Sequence, residues 1–400
     1  MKSEVKIGII GMGSRGCACF GKLLSERKDS KITAICDINP VRLEAAAADL
    51  DHPKTYLKAE DMLKEEKLDA VIITVPDFLH EEMAILGLES NVNVLIDKPL
   101  ATTAAGCKRI MAAAAKSKKT IMIGFNLRHQ PVLKKAKSII DSGILGRIIM
   151  IDNREYYSGG RTYMGRWNRD KSKCGSLWIH KGSHDFDIFD WLLNFPKPKK
   201  VVAFSGMNYF TPENLPFTPR EGEPAGPRCA KCPYYDKECP DGKVYDEKEW
   251  GDKAIAEDGY VKDNCLYLSK KDIHDNGFAM VEYENGIRVS HMECFITNLS
   301  ERFYSVIGTK AQADFCLSKY EVTVTDRTTG EKLIYQIPQA TGSHNGADPN
   351  LVESFVNHIK QDSSSVITAE QGLLSSAIGQ AAEISKMENR VVMMNELLDD

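Results

Sequence analysis

Val5-Lys6-Ile7-Gly8-Ile9-Ile10-Gly11-Met12-Gly13-Ser14-Arg15-Gly16 is a β-branched run ending in three glycines spaced G-x-G-x-x-G, with a helical pattern opening behind them. Gly11 permits a tight turn, Gly13 lets backbone approach a pyrophosphate, and Gly16 allows close helix packing. Ser14 and Arg15 begin the helix, whose N-terminus meets phosphate charge. Asp37 ends the next strand, where a carboxylate accepts ribose hydroxyls and repels a 2′-phosphate. The pattern implies a dinucleotide site with NAD favoured over NADP, a preference that Arg42 softens.

Outward from this turn, strands are expected at 5–10, 31–36, near 55, 70–75, 93–97 and 120–125, separated by helical stretches at 17–27, 41–50, 59–66, 80–90 and 104–116. Six strands with five crossovers make residues 1–125 an α/β domain, a Rossmann doubly wound parallel sheet. From 126 to 400 the texture is that of an α+β domain with an open antiparallel sheet. Its elements are a helix at 130–142, strands at 146–157 and 199–208, and a hairpin of 278–283 and 287–295 turning at Asn285-Gly286. Later strands are expected at 303–307, 313–317, 321–325 and 333–337, and closing helices at 350–360 and 369–387. Residues 209–272 form an insertion that carries seven of the 16 prolines and fits neither pattern.

Composition bounds the function. Four hundred residues exceed one hydrophobic core. With 52 Lys and Arg against 56 Asp and Glu the net charge is −4, and 42% of residues are hydrophobic, an ordinary globular balance that argues against nucleic acid as a partner. Apolar runs such as 70–75 fall far short of the roughly 18 residues of a membrane span. The chain starts directly in a strand, without a signal-peptide pattern, so a cytoplasmic protein with mostly reduced thiols is expected.

Ile96-Asp97-Lys98-Pro99-Leu100, Thr74-Val75-Pro76 with His80, Gly124-Phe125-Asn126-Leu127-Arg128, Gly182-Ser183-His184-Asp185-Phe186-Asp187 and Gly342-Ser343-His344-Asn345-Gly346-Ala347-Asp348 together resemble the glucose-fructose oxidoreductase and inositol dehydrogenase (Gfo/Idh/MocA) family. The family commonly has Glu-Lys-Pro where this chain has Asp97-Lys98-Pro99. Lys98 lies at the carboxyl end of a strand, where open α/β sheets bind ligands. The resemblance implies that it sits beside the nicotinamide and hydrogen-bonds the reacting oxygen. It further implies that His184 is the general base, and that Thr74, Pro76, His80 and Asn126 face the cofactor. His180 stands where the family often has Asp, so it cannot raise the basicity of His184 as a carboxylate would, and it is assigned a tuning or relay role. If helix geometry holds from 184 to 187, Asp187 orients His184. Arg128, Tyr156, Trp167 and both histidines are the candidate substrate contacts. They belong with Tyr157, Arg161, Tyr163 and Arg166 to a patch where aromatic faces alternate with arginines, suited to sugar rings and hydroxyls.

Cys229-x2-Cys232-x6-Cys239 followed by Cys265 places four of the eleven cysteines in the insertion. That spacing suits a structural zinc ion, an iron–sulfur cluster, or simply free thiols, with zinc preferred. The resemblance also implies a homo-oligomer, dimer or tetramer, assembled through the open sheet. The leading reading is an NAD-dependent oxidoreductase acting on a CH–OH group of a sugar, cyclitol or sugar derivative. A glycoside-cleaving enzyme that oxidises, eliminates and then returns the hydride is the alternative, and a cofactor-bound sensor is a third possibility.

Overall fold

The computed structural model describes residues 4–342, 344–361 and 367–399. Ser343, within the last quoted motif, lies outside them. The first sheet comprises β1 (Val5–Ile10), β2 (Ser30–Cys36), β3 (Lys54–Tyr56), β4 (Ala70–Ile73), β5 (Asn93–Ile96) and β6 (Ile121–Ile123), all parallel in the order β3-β2-β1-β4-β5-β6. Its central strands read as near-continuous apolar runs because helices cover both faces. Strand order reverses between β1 and β4, so the carboxyl ends of β1, β4, β5 and β6 open on one crevice.

The second sheet has nine strands, β7 (Ile148–Tyr157), β8 (Pro198–Gly206), β9 (Asn276–Tyr283), β10 (Arg288–Cys294), β11 (Ser300–Gly308), β12 (Ala311–Cys316), β13 (Glu321–Asp326), β14 (Lys332–Gln336) and β15 (Val392–Met393). Their order is β14-β13-β12-β11-β7-β10-β9-β8-β15, antiparallel except for the β10–β7 pair. The expected β9–β10 hairpin forms, with Gly286 at φ +83°. Period-two alternation puts Ala279, Val281 and Tyr283 in the core under the helices Ser183–Leu192 and Ala369–Glu388. The opposite face is open and leaves Phe204 and Phe278 mostly exposed.

The two layers share helices. Leu351, Val352, Phe355 and Val356 of helix Ala347–Gln361 pack into the core of the first sheet, far from their sequence neighbours. Helix Ala369–Glu388 touches elements of both sheets. The insertion holds only short helices, including Glu247–Trp250 and Asp252–Asp258, which lie against helix Pro40–Asp49 beside the glycine turn.

Candidate functional site

The glycine turn has the steric requirements expected of it. Gly11 adopts φ +92°, and a Cβ there would stand 2.9 Å from the Thr74 carbonyl. A Cβ on Gly16 would stand 1.9 Å from the Gly11 oxygen. Gly13 is open, with the Trp250 ring 3.9 Å from where its Cβ would be. Thr74 closes the turn by donating its hydroxyl to the Gly11 carbonyl at 2.6 Å. Asp37 accepts the Met12 N–H at 2.8 Å and the Asn39 N–H at 2.9 Å, with the Arg42 guanidinium at 3.3 Å. Three of its roughly four acceptor positions are thereby used, leaving one for a ligand hydroxyl.

Arg15 is committed to carboxylates of the protein. Its guanidinium pairs with Asp97 at 2.8 Å and Asp348 at 3.3 Å. The acid of the Asp97-Lys98-Pro99 motif therefore ties β5 to the glycine turn, and Asp348 brings in the C-terminal helix. Asp348 also accepts Asn126 Nδ2 at 2.7 Å and faces His344 Nδ1 at 2.6 Å. Although burial opposes it, the hydrogen bond with His344, then Arg15 and Asn126, stabilise the anion and hold its carboxyl far below the usual range. Pro76 ends the loop after β4. His80 presents both ring nitrogens to main-chain carbonyls, Pro99 at 2.6 Å and Val75 at 3.0 Å. It clamps the Lys98-Pro99 turn onto the β4 loop and offers no free polar atom to a cofactor.

Lys98 is brought to the C-terminal half by folding. Its ammonium donates to the main-chain oxygen of His180, and burial lowers its pKa against the opposing pull of Asp77 and Asp97. His180 ends the short helix Leu177–His180, and the chain breaks at Lys181-Gly182 before helix Ser183–Leu192 starts. The two histidines therefore do not share one helical face. His180 Nδ1 meets Asp77 Oδ2 at 2.7 Å, and Asn168 Nδ2 lies 3.0 Å from Nε2. An amide donor at Nε2 fixes the remaining proton on Nδ1, where the Asp77 carboxylate accepts it. The carboxylate that the family often has at position 180 thus comes instead from the helical turn Asp77–Leu79 that follows β4, and it serves His180. Tyr163 and Trp167 stand edge-on to the same ring at 5.1 and 5.3 Å.

His184 is half-buried, with Nδ1 enclosed and without a partner. Burial pushes its pKa well below 6.5, reinforced first by Lys98 and then by Lys181, Arg302 and His344. The expected pairing with Asp187 does not form. Asp187 is taken by Arg128, whose Nε donates at 2.8 Å and whose second nitrogen bonds the other oxygen, a fork matched to a carboxylate. Arg128 also donates to Gln371 at 2.6 Å. This buried pair gives Arg128 a protein partner at the position where a substrate contact was expected.

Other members of the expected patch disperse. Tyr156 lies on the open face of β7, 5.9 Å from Phe303, and Trp167 remains near His180. Arg161 pairs with Asp241 at 2.6 Å, and Arg166 donates to the Tyr245 hydroxyl at 2.7 Å, so both tie the 158–169 segment to the insertion. Behind His184, Asp185 accepts Arg302 at 2.9 Å and Tyr304 at 3.0 Å, while Glu155 faces Arg302 at 2.6 Å and Lys181 at 3.1 Å.

Glu155, His291 and Glu293 are the only described trio of His, Cys, Asp or Glu whose ligand atoms lie within 4.8 Å of one another. Arg302, Lys181 and His274 already face its acids, which leaves little reason for a cation there. Among the described residues no three of the sulfurs of Cys229, Cys232, Cys239 and Cys265 lie within 4.8 Å of one another. A bridge between Arg228 and Asn264 puts Cys229 and Cys265 on adjacent chain segments, and burial raises the Cys229 thiol to about 11. The expected zinc set is therefore gathered in one region but not assembled.

Asp77, Asn168 and Asp348 escaped the sequence reading as functional groups. Asp77 and Asp348 lie in or next to quoted motifs, so adjacency was the available signal; Asn168 had none. No described helix is long and apolar enough to cross a membrane.

Comparison with known proteins agrees with this architecture. Residues 5–125 match the oxidoreductase family, NAD-binding Rossmann fold, and residues 137–394 match the oxidoreductase family, C-terminal alpha/beta domain. A putative oxidoreductase, YteT, of Bacillus subtilis is 28% identical over 97% of each chain. An inositol 2-dehydrogenase of Salmonella typhimurium is 31% identical over 50% of this chain and 60% of its own length. A levoglucosan dehydrogenase solved with NADH and levoglucosan shares the fold at TM-score 0.75 and 17% identity, covering 98% of this chain and 99% of that one. Since both modules match in sequence order and span the two sheets that meet at Lys98 and His184, the chain belongs to the Gfo/Idh/MocA family of NAD-binding oxidoreductases.

Proposed function

We propose that the protein transfers a hydride between NAD and a hydroxyl-bearing carbon of a sugar, cyclitol or sugar derivative, with residues 1–125 holding the cofactor and 126–400 the substrate. One observation carries this reading. The half-buried ammonium of Lys98 is held on the main-chain oxygen of His180, four residues before the half-buried imidazole of His184, and after burial itself it is the foremost group disfavouring that imidazole's charged form at the strand-end crevice. The residues fit the cofactor: the glycine turn is a cradle that a Cβ would fill, and Asn126 Oδ1 is a buried acceptor without a protein partner. When bound, NAD supplies the carbon that accepts the hydride.

His184 is neutral near pH 7 because burial and neighbouring cations disfavour its charged form, so it can take the hydroxyl proton. Lys98 holds the substrate oxygen and stabilises the charge developing there. His180 acts as a positioning residue: its carbonyl aims Lys98 while both ring nitrogens are engaged. Inositol and levoglucosan dehydrogenases among the relatives support a polyhydroxylated substrate.

Glycoside cleavage would need a further base for the C–H proton, and the engagement of His180 with Asp77 and Asn168 favours plain redox chemistry. A panel of polyols and glycosides, read for NADH formation and aglycone release, tests this. NADH without aglycone is the expected result, and aglycone release with no net NADH would overturn it. The same reading includes a cytoplasmic protein and a dimer or tetramer covering the open sheet face. It also includes one structural zinc on the four insertion cysteines, supported by spacing alone and read by metal analysis of the purified protein.

A further inference from the structure

The insertion does not stay with the sheet that carries it. It crosses to the glycine turn and brings a cation there. Lys262 is only 8% exposed, and its ammonium lies 3.4 Å from Ser14 Oγ, at the first turn of the helix behind Gly13. It sits 3.6 Å from the centre of the Trp250 ring and 4.6 Å from that of Tyr245. Among the described residues no carboxylate lies within 4 Å of this ammonium.

The surroundings make matters worse for an unpaired cation. Burial is the largest cause of a pKa lowered to about 7, and Arg166, Lys243 and Arg42 add to it while Glu249 opposes it. Arg42 is committed to Asp37 and Asp258, and Arg166 to the Tyr245 hydroxyl. A buried cation held over a helix N-terminus with no counter-ion is an arrangement that an anion would complete.

We propose that Lys262 binds the pyrophosphate of the dinucleotide, and that the Pro- and Cys-rich insertion thereby serves as a second, cis-acting wall of the cofactor site, with Trp250 lining it above Gly13. The inference rests on the dinucleotide reading of the glycine turn. Asn39 Nδ2 donates to the Ala254 carbonyl at 2.8 Å and Arg42 bonds Asp258, which hold the wall in place without using the turn itself.

Calorimetric titration with NAD, ADP and adenosine tests it on the full chain. Lys262→Gln should weaken ADP and NAD by about tenfold or more while moving adenosine by less than about twofold. Lys262→Arg should stay within a few-fold of the parent. Lys253→Ala, an exposed lysine on the same insertion, should change nothing. Comparing ADP with adenosine on one preparation removes any dependence on the folded fraction. Equal binding of ADP by the parent and Lys262→Gln would overturn the proposal while leaving the dinucleotide site intact, and a parallel loss of ADP and adenosine would overturn it by showing that the effect is not on the pyrophosphate. If the parent takes up no NAD at all, the underlying reading falls and the proposal with it.

Discussion

The glycine turn at 11–16 and the insertion at 209–272 meet beyond the carboxyl end of β1, yet they are held there by opposite means. The turn is fixed by backbone: positive φ at Gly11, a missing Cβ at Gly16 and the Thr74 hydroxyl. The insertion is fixed by side chains that reach across the molecule, such as Arg42 to Asp258 and Asn39 to Ala254. Backbone-determined regions tolerate few residues but can be read locally. Side-chain docking leaves no local pattern, because each half of a contact looks ordinary where it stands.

This contrast predicts that strand-end residues control chemistry and stability, whereas insertion residues control affinity and cofactor choice. The largest effect is expected at the strand ends. Lys98→Met and His184→Asn should each lower kcat by about 10²–10⁴-fold while leaving calorimetric NAD affinity nearly unchanged. Retained turnover in either variant would remove that residue from the chemistry.

Next comes Arg128→Met, which strands the buried Asp187 carboxylate. It should cost about 3–5 kcal/mol in a denaturant titration, although Arg128 lies at the end of β6 among candidate site groups. A smaller loss accompanied by a large rise in KM would restore Arg128 to the substrate.

A third test uses pH. Burial lowers His129 from 6.5 to about 4, so the folded state resists a proton that the unfolded chain accepts. Its contribution is therefore fully present above pH 6.5 and is lost as pH falls from 6.5 towards 4, by roughly 3 kcal/mol at the limit. His129→Asn should flatten that part of the stability profile relative to the parent. An unchanged slope would show that His129 does not contribute.

The smallest effect is expected in the insertion. Asp258→Asn frees Arg42 from one of its two acids and should improve NADP binding relative to NAD by a few-fold, about 1 kcal/mol. An unchanged ratio would mean that Asp37 alone sets the preference.

Legibility follows the same division. Lys98 could be singled out because a strand end followed by Pro is a local pattern, and His184 because it lies in a compact motif. The role of His180 could not be read, since Asp77 and Asn168 approach it from 103 and 12 residues away. The expected His184–Asp187 pairing failed because three-residue spacing only permits contact. Arg128, 59 residues from Asp187, offered a two-pronged donor that spacing does not reveal.

The six parallel strands and the glycine turn of a dinucleotide domain were legible in the sequence alone, through steric and periodic demands that act within a few residues, whereas the order of the strands was not. Tertiary structure alone decided that Asp187 serves Arg128, that helix Ala347–Gln361 closes the first sheet, and that Lys262 stands over Ser14. Those outcomes depend on which charges and apolar faces meet once the chain is compact, and the free energy of burying or pairing them is set by both partners together.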